Sequence, residues 1–201
     1  MNDLSNRPAA YSDLEKVPPH LIAEIINGEL VVQPRPTFGH GGATNTLAAV
    51  LTGPFQFGQS GPGGWVFVTE PEFHFSPHVV VPKIGGWHSG RLPENIAELN
   101  STDVAPDWLL EVLSPSTEDY DRHEKRAIYA EAGVRHLWYI DPRTKVLEVF
   151  RRQAADWLLV QTVKGSQDVT AEPFDAITFS LGLLWPFDPA PAGSKTGERR
   201  S

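Results

Sequence analysis

Cysteine is absent from the 201 residues, so disulfide staples and thiolate metal sites are excluded and the redox compartment is left open. Long apolar runs are absent too: nothing approaches the roughly 20 residues that a membrane-spanning helix requires. The stretch MNDLSNRPAAYSDLEK lacks the apolar segment of a secretory leader, which makes the cytoplasm the default expectation. Positive charge is scarce, with 17 Lys and Arg against 25 Asp and Glu and a formal net charge of −8. A chain of that sign has no general attraction for DNA, which excludes a non-specific nucleic-acid coat protein. A nuclease is still compatible, because a metal ion in a cleft and a local basic patch supply the field that net charge does not. The glycines of GQSGPGG lack the spacing and the following helix of a phosphate-cradling loop. There is no internal repeat.

What is present is organised around residues 106–142. Residues 108–113 form an apolar run too short for a typical helix and bounded by prolines, which reads as a buried strand. Ser114-Pro115-Ser116-Thr117 stops it. Ser116 or Thr117 is placed to cap a helix whose first turn carries Glu118 and Asp119. That helix runs to about Ala132 with Gly133 as its C′ residue, and a second strand follows over residues 134–140. Upstream, residues 21–26 and 29–33 flank Asn27-Gly28, the strongest hairpin signal in the chain. Residues 43–51 read as a helix ended by Pro54, and residues 65–69, 72–75 and 79–81 as strands. After Asp141 an antiparallel meander is expected over 145–151, 157–163 and 169–171, followed by a last apolar segment reaching Leu184. The pattern describes one α/β (α+β) domain over 21–187. An arm over 1–20, with a short helix at 11–16, precedes it, and a polar tail over 188–201 is expected to be disordered.

One residue breaks the strand pattern. Glu111 carries a carboxylate inside an apolar run, where an unpaired charge costs several kcal/mol, on the order of 5. In the following helix Asp121, Lys125 and Tyr129 recur every fourth residue and share a face. If that face turns toward the sheet, Lys125 approaches Glu111. A carboxylate can hold a hard divalent cation, and a lysine beside it can orient water and offset charge building on a phosphate. The competing reading of Asp121 and Lys125 is a solvated ion pair worth about 0.3 kcal/mol. Glu24 reads equally as a strand carboxylate facing solvent or as a cleft acid. His40, at a helix entry, reads first as a capping or packing residue. Asp107 precedes Glu111 by four residues and shares its face if the strand starts early, although a strand-entry turn is the simpler role. Glu72 alternates with aromatics in a half-buried strand. A glycosidase built on Glu72 and Glu111 would leave Lys125 without a role.

The string EVLSPSTEDYDRHEKRAIYAEAGVRHLWYIDP resembles the Uma2 family of restriction-endonuclease-like proteins, which in turn are similar to the PD-(D/E)XK nucleases. AEIINGELVVQP, with Pro36 and His40, resembles that family's N-terminal hairpin and helix start. EPEFHFSPHVVVPKIGGWHSGRLP resembles its middle block, so the resemblance runs from about Leu21 to Pro142. It implies a restriction-endonuclease-like mixed β-sheet core flanked by helices. It also implies hydrolysis of DNA with Mg²⁺ or Mn²⁺: Glu111 as metal ligand, Glu72 and Glu24 as supporting acids, and Lys125 orienting water.

Two positions depart from the family. The residue after Pro82 is its principal metal-binding aspartate, and here it is Lys83; an acid is frequent at the position of His78. An ammonium at position 83 repels a cation and is expected to pair with Glu111. Three readings follow: a degenerate nuclease that keeps its fold and a binding function, a substitute ligand such as Glu72 or Asp107, or a change without a role. The favoured function is a metal-dependent endonuclease, with an inactive nuclease-fold binding or regulatory module as the alternative. The flat edge of the meander is expected to invite a homodimer.

Overall fold

A computed structural model describes residues 7–189. The hairpin turn forms as its two residues dictate. Asn27 and Gly28 both take positive φ, 53° and 79°, the type I′ geometry whose twist matches the flanking strands. They join β1 (Leu21–Ile26) to β2 (Glu29–Pro34), in a register that sets Glu24 opposite Val31. A single helical turn, α1 (Tyr11–Leu14), precedes the hairpin. Helix α2 (Phe38–Leu51) buries Ala43, Leu47 and Leu51 along one stripe. Pro54 does not end the helical path there. A π-helical turn, Thr52–Gln56, carries it on, with the Phe57 N–H bonded to the Thr52 carbonyl. A proline has no N–H for the α ladder, and the widened turn is one way to accommodate it.

Strands β3 (Trp65–Thr69), β4 (Glu72–Phe75), β5 (His78–Val80), β6 (Ile84–His88), β7 (Ser101–Thr102) and β8 (Trp108–Val112) follow. After a turn over residues 113–117 the crossover from β8 is continuously helical: α3 (Glu118–Tyr120), a π-helical turn (Asp121–Lys125) and α4 (Arg126–Ala132). Thr117 stands at the N-cap position, but its side chain caps no backbone N–H; its hydroxyl bonds that of Ser114 instead. Gly133 closes the helix in the left-handed conformation, φ 89°. Next come β9 (His136–Asp141), β10 (Val146–Gln153), β11 (Asp156–Lys164), β12 (Asp168–Val169) and β13 (Phe179–Ser180).

The fold class is α+β with mixed sheets flanked by helices. Two main sheets form where one was expected. One has five strands in the order β2-β1-β5-β4-β7, the other six in the order β11-β10-β9-β8-β6-β3. Strands β10 and β11 extend the larger sheet as the meander requires. β12 and β13 instead make a separate ribbon, and Phe174, Leu181 and Leu184 turn into the core. β6 is a strand that reading the sequence missed, since Gly85 and Gly86 resemble a loop. Their bare α-carbons are what the packing needs. A Cβ on Gly85 would lie 2.5 Å from the Trp87 ring, and one on Gly86 would lie 3.1 Å from Phe67 and Trp108. Residues 190–201, most of the expected tail, lie outside the described residues. Among those described, no helix is long and apolar enough to cross a membrane.

Alternation along β8 divides the core. Trp108, Leu110 and Val112 face α2 and a cluster of rings around Phe174, while Leu109 and Leu113 face Ile128 and Tyr129 of α4 together with Ile26, Phe73 and Val80. Glu111 has the odd-numbered parity. Its carboxylate therefore enters the space between the crossover helix and the smaller sheet.

Candidate active site

In β1, Ile22, Glu24 and Ile26 share one face; Ile26 joins the core, and the first two line a pocket of about 80 Å³. Glu24, Glu111, Asp121 and Lys125 all line that pocket and are at most 2% exposed. The Lys125 ammonium lies 2.7 Å from Glu111 Oε1, 3.0 Å from Glu24 Oε1 and 3.4 Å from Asp121 Oδ1. Asp121 and Lys125 lie within the π turn and Tyr129 one α turn later. Four residues fall short of a full π turn and overshoot an α turn, so the two offsets oppose each other and all three side chains stay on the inner face.

Each acid is held by more than the lysine. Glu24 Oε1 also accepts the Val81 N–H at 2.7 Å, and its Oε2 accepts from Gln33 at 3.3 Å. Tyr129 donates its hydroxyl to Glu111 Oε1 at 2.5 Å. Both contacts to Glu111 fall on Oε1, and among the described residues no hydrogen bond falls on Oε2.

Three carboxylates around one ammonium leave two negative charges unbalanced. Burial raises the Glu111 carboxyl to about 7, since the pull of Lys125 does not offset desolvation and the neighbouring charges of Asp121 and Glu24 push the same way. For Lys125 burial acts downward, but Glu111 and Glu24 outweigh it and hold the ammonium well above its ordinary value. Burial, then Glu111, raises the Tyr129 hydroxyl far up, so it stays a donor.

Of the residues singled out in the sequence, Glu24, Glu111, Asp121, Lys125 and Tyr129 meet here. The others take different roles. Glu72 is a correction: it accepts from Tyr11 at 2.9 Å and His74 at 2.7 Å, and it lines other hollows, not this pocket. Asp107 precedes β8, where the chain has not yet entered the pleat, and its carboxylate accepts the His88 N–H at 2.9 Å and pairs with Arg91 at 2.8 Å. His40 lines the pocket, but both ring nitrogens are used. The Leu113 carbonyl can only accept, so Nε2 donates to it at 2.7 Å and Nδ1 accepts from Thr37 at 2.6 Å. His40 thereby ties the start of α2 to the end of β8.

Lys83 is the second correction. It lines the pocket but does not pair with Glu111: its ammonium donates to Glu70 Oε1 at 3.2 Å, a partner that nothing in the linear sequence marked. His78 accepts the Asn27 N–H through Nδ1 at 3.1 Å and braces the hairpin turn.

A divalent cation is what the resemblance noted in the sequence implies. Among the described residues no three His, Asp or Glu groups stand in a ready metal-holding arrangement. The chemistry and charge of Glu24, Glu111 and Asp121 nevertheless fit a hard dication: all donors are carboxylate oxygens, one Glu111 oxygen is unengaged, and the surplus is two negative charges.

The α+β fold, with mixed sheets flanked by helices, is of a nuclease-like class. A structure from Anabaena variabilis ATCC 29413, titled as a putative nuclease belonging to DUF820, superposes with a TM-score of 0.72 at 22% identity, covering 90% of this chain and 99% of that one. At that identity the likeness establishes the fold. The Uma2 family model, described as "Putative restriction endonuclease", matches residues 8–183. The chain belongs to the Uma2 family. No curated protein matches it.

Proposed function

We propose that the protein is an endonuclease that hydrolyses phosphodiester bonds of DNA with a divalent cation, Mg²⁺ or Mn²⁺. The observation that carries this is the surplus of two negative charges among Glu24, Glu111 and Asp121 beside a buried lysine in a polar pocket. Glu111 and Asp121 would hold the cation with support from Glu24, and the cation would supply Lewis acidity and a more acidic bound water. The rest falls to the protein's own groups. Tyr129 fixes the Glu111 carboxylate in one orientation, and the Val81 N–H fixes Glu24. Lys125 directs its three N–H donors at Glu24, Glu111 and Asp121; once those acids turn to the cation, a freed N–H would align water for attack at phosphorus and the ammonium would offset the charge that grows on the phosphoryl oxygens.

A second reading is favoured by Lys83, which stands where the family's metal-binding aspartate is expected: a nuclease fold that binds nucleic acid without cutting it. Nicking of supercoiled plasmid in Mg²⁺ or Mn²⁺ separates the two. The endonuclease reading predicts nicking by the wild type, abolished by EDTA and by Glu111→Gln. An inert wild type that gains nicking on Lys83→Asp would replace it with the second reading.

A further inference from the structure

Lys83 and Glu70 are tied together twice. Besides the side-chain contact at 3.2 Å, the Glu70 N–H donates to the Lys83 carbonyl at 3.1 Å. The other oxygen of Glu70 lies 3.9 Å from the guanidinium of Arg35, which itself donates to the Pro19 carbonyl at 2.7 Å. Glu70 has φ 48°, a left-handed conformation that a non-glycine residue keeps only where its surroundings hold it. Arg35 and Lys83 line the same pocket as Glu111, and Glu70 is their shared counter-ion. Arg35 is 57% exposed and Lys83 16%, so one cation reaches solvent and the other sits deeper.

Charge sorts the pocket into two parts. The inner part, around Lys125, has two negative charges in excess. The outer part, Arg35 and Lys83 against Glu70, has one positive charge in excess. Each link of a nucleic-acid backbone carries one negative charge. We propose that Arg35 and Lys83, held in place by Glu70, clamp one backbone phosphodiester of a nucleic-acid strand at the pocket.

This rests on the nuclease reading and adds how the substrate is held. Glu70 keeps the Lys83 ammonium away from Glu111, whose negative field would otherwise draw it inward. The departure at position 83 then converts a metal-binding position into a phosphate-binding one. In a chain of net charge −8, a local cation pair is what a polyanion can find.

Binding of a short labelled DNA strand, followed by fluorescence anisotropy in EDTA, tests the clamp without requiring cleavage. Lys83→Gln and Arg35→Gln are each expected to weaken binding about tenfold at low salt. Each is also expected to reduce the slope of log K against log salt by about 1, whatever the sequence of the strand. Arg35 is exposed, so its variant keeps the fold even if the Lys83 variant does not. Unchanged affinity and slope in folded Arg35→Gln and Lys83→Gln would overturn the clamp. Displacement of the strand by inorganic phosphate at matched concentration would also overturn it, since the pair would then serve small anions. A protein that binds strands through this pair but never nicks keeps the clamp and loses the nuclease reading. Normal nicking with both variants unaffected in binding does the reverse.

Discussion

Replacing Glu111 with glutamine removes a charge while keeping the shape of the side chain, and its effect on stability should depend on pH. The carboxyl is 2% exposed and is raised from 4.5 to about 7, first by burial and then by Asp121 and Glu24. A raised carboxyl binds its proton more tightly in the folded state than in the unfolded one. Its contribution to stability is therefore complete below the unfolded value of 4.5 and is lost as pH rises through 7. A shift of this size corresponds to about 3 kcal/mol between pH 4 and pH 8. His78 and His136, both lowered by burial, contribute the opposite slope, since a buried neutral imidazole loses stability as pH falls. They are common to both proteins and cancel in the difference. Urea unfolding in EDTA, followed by tryptophan fluorescence across this range, should show the stability difference moving by about 3 kcal/mol in favour of Glu111→Gln as pH rises. Parallel curves would mean that Glu111 titrates as an ordinary carboxyl, contrary to the burial and neighbouring charges that raise it.

Lys125→Met leaves three buried carboxylates facing one another, and loss of about 3–5 kcal/mol is expected at pH 8, shrinking in acid as the acids protonate; chemical denaturation at both pH values checks this. Gly85→Ala sets a methyl group 2.5 Å from the ring of Trp87, which is buried and donates to the Val104 carbonyl. It should cost about 1–3 kcal/mol, read as a lower melting temperature without a change in nucleic-acid binding.

Local chemistry made some of this architecture readable in advance. Asn27-Gly28 can hardly be anything but a tight hairpin turn, and Gly133 after a periodic run is a helix stop. Glu111 was conspicuous because a carboxylate amid Trp108 to Leu113 contradicts the pattern around it. Asp121, Lys125 and Tyr129 followed from spacing alone. What stayed hidden depends on contacts distant in sequence. Glu24 could face either way until Val81 and Lys125 were placed against it. Glu72 alternates as a cleft acid would, yet its partners are Tyr11 and His74. The division into two sheets turns on the pairing of β1 with β5, which no local pattern encodes. The Gly-Gly strand β6 is intelligible only beside Phe67, Trp87 and Trp108. Lys83 was recognised as a departure from its family, but its counter-ion lies thirteen residues upstream, in a turn with no feature to single it out.

Calorimetric titration of the protein with Mn²⁺ at pH 6, in two buffers of different protonation enthalpy, addresses the acid cluster most directly. If two uncompensated charges are what the pocket offers, one cation binds per chain. Close to one proton should leave Glu111 as it does so, because a carboxyl at about 7 is mostly protonated at that pH. Proton release should fade by about pH 8.5, and Glu111→Gln should weaken binding at least about tenfold. Absence of saturable binding, or equal binding to the variant without proton release, would contradict the account.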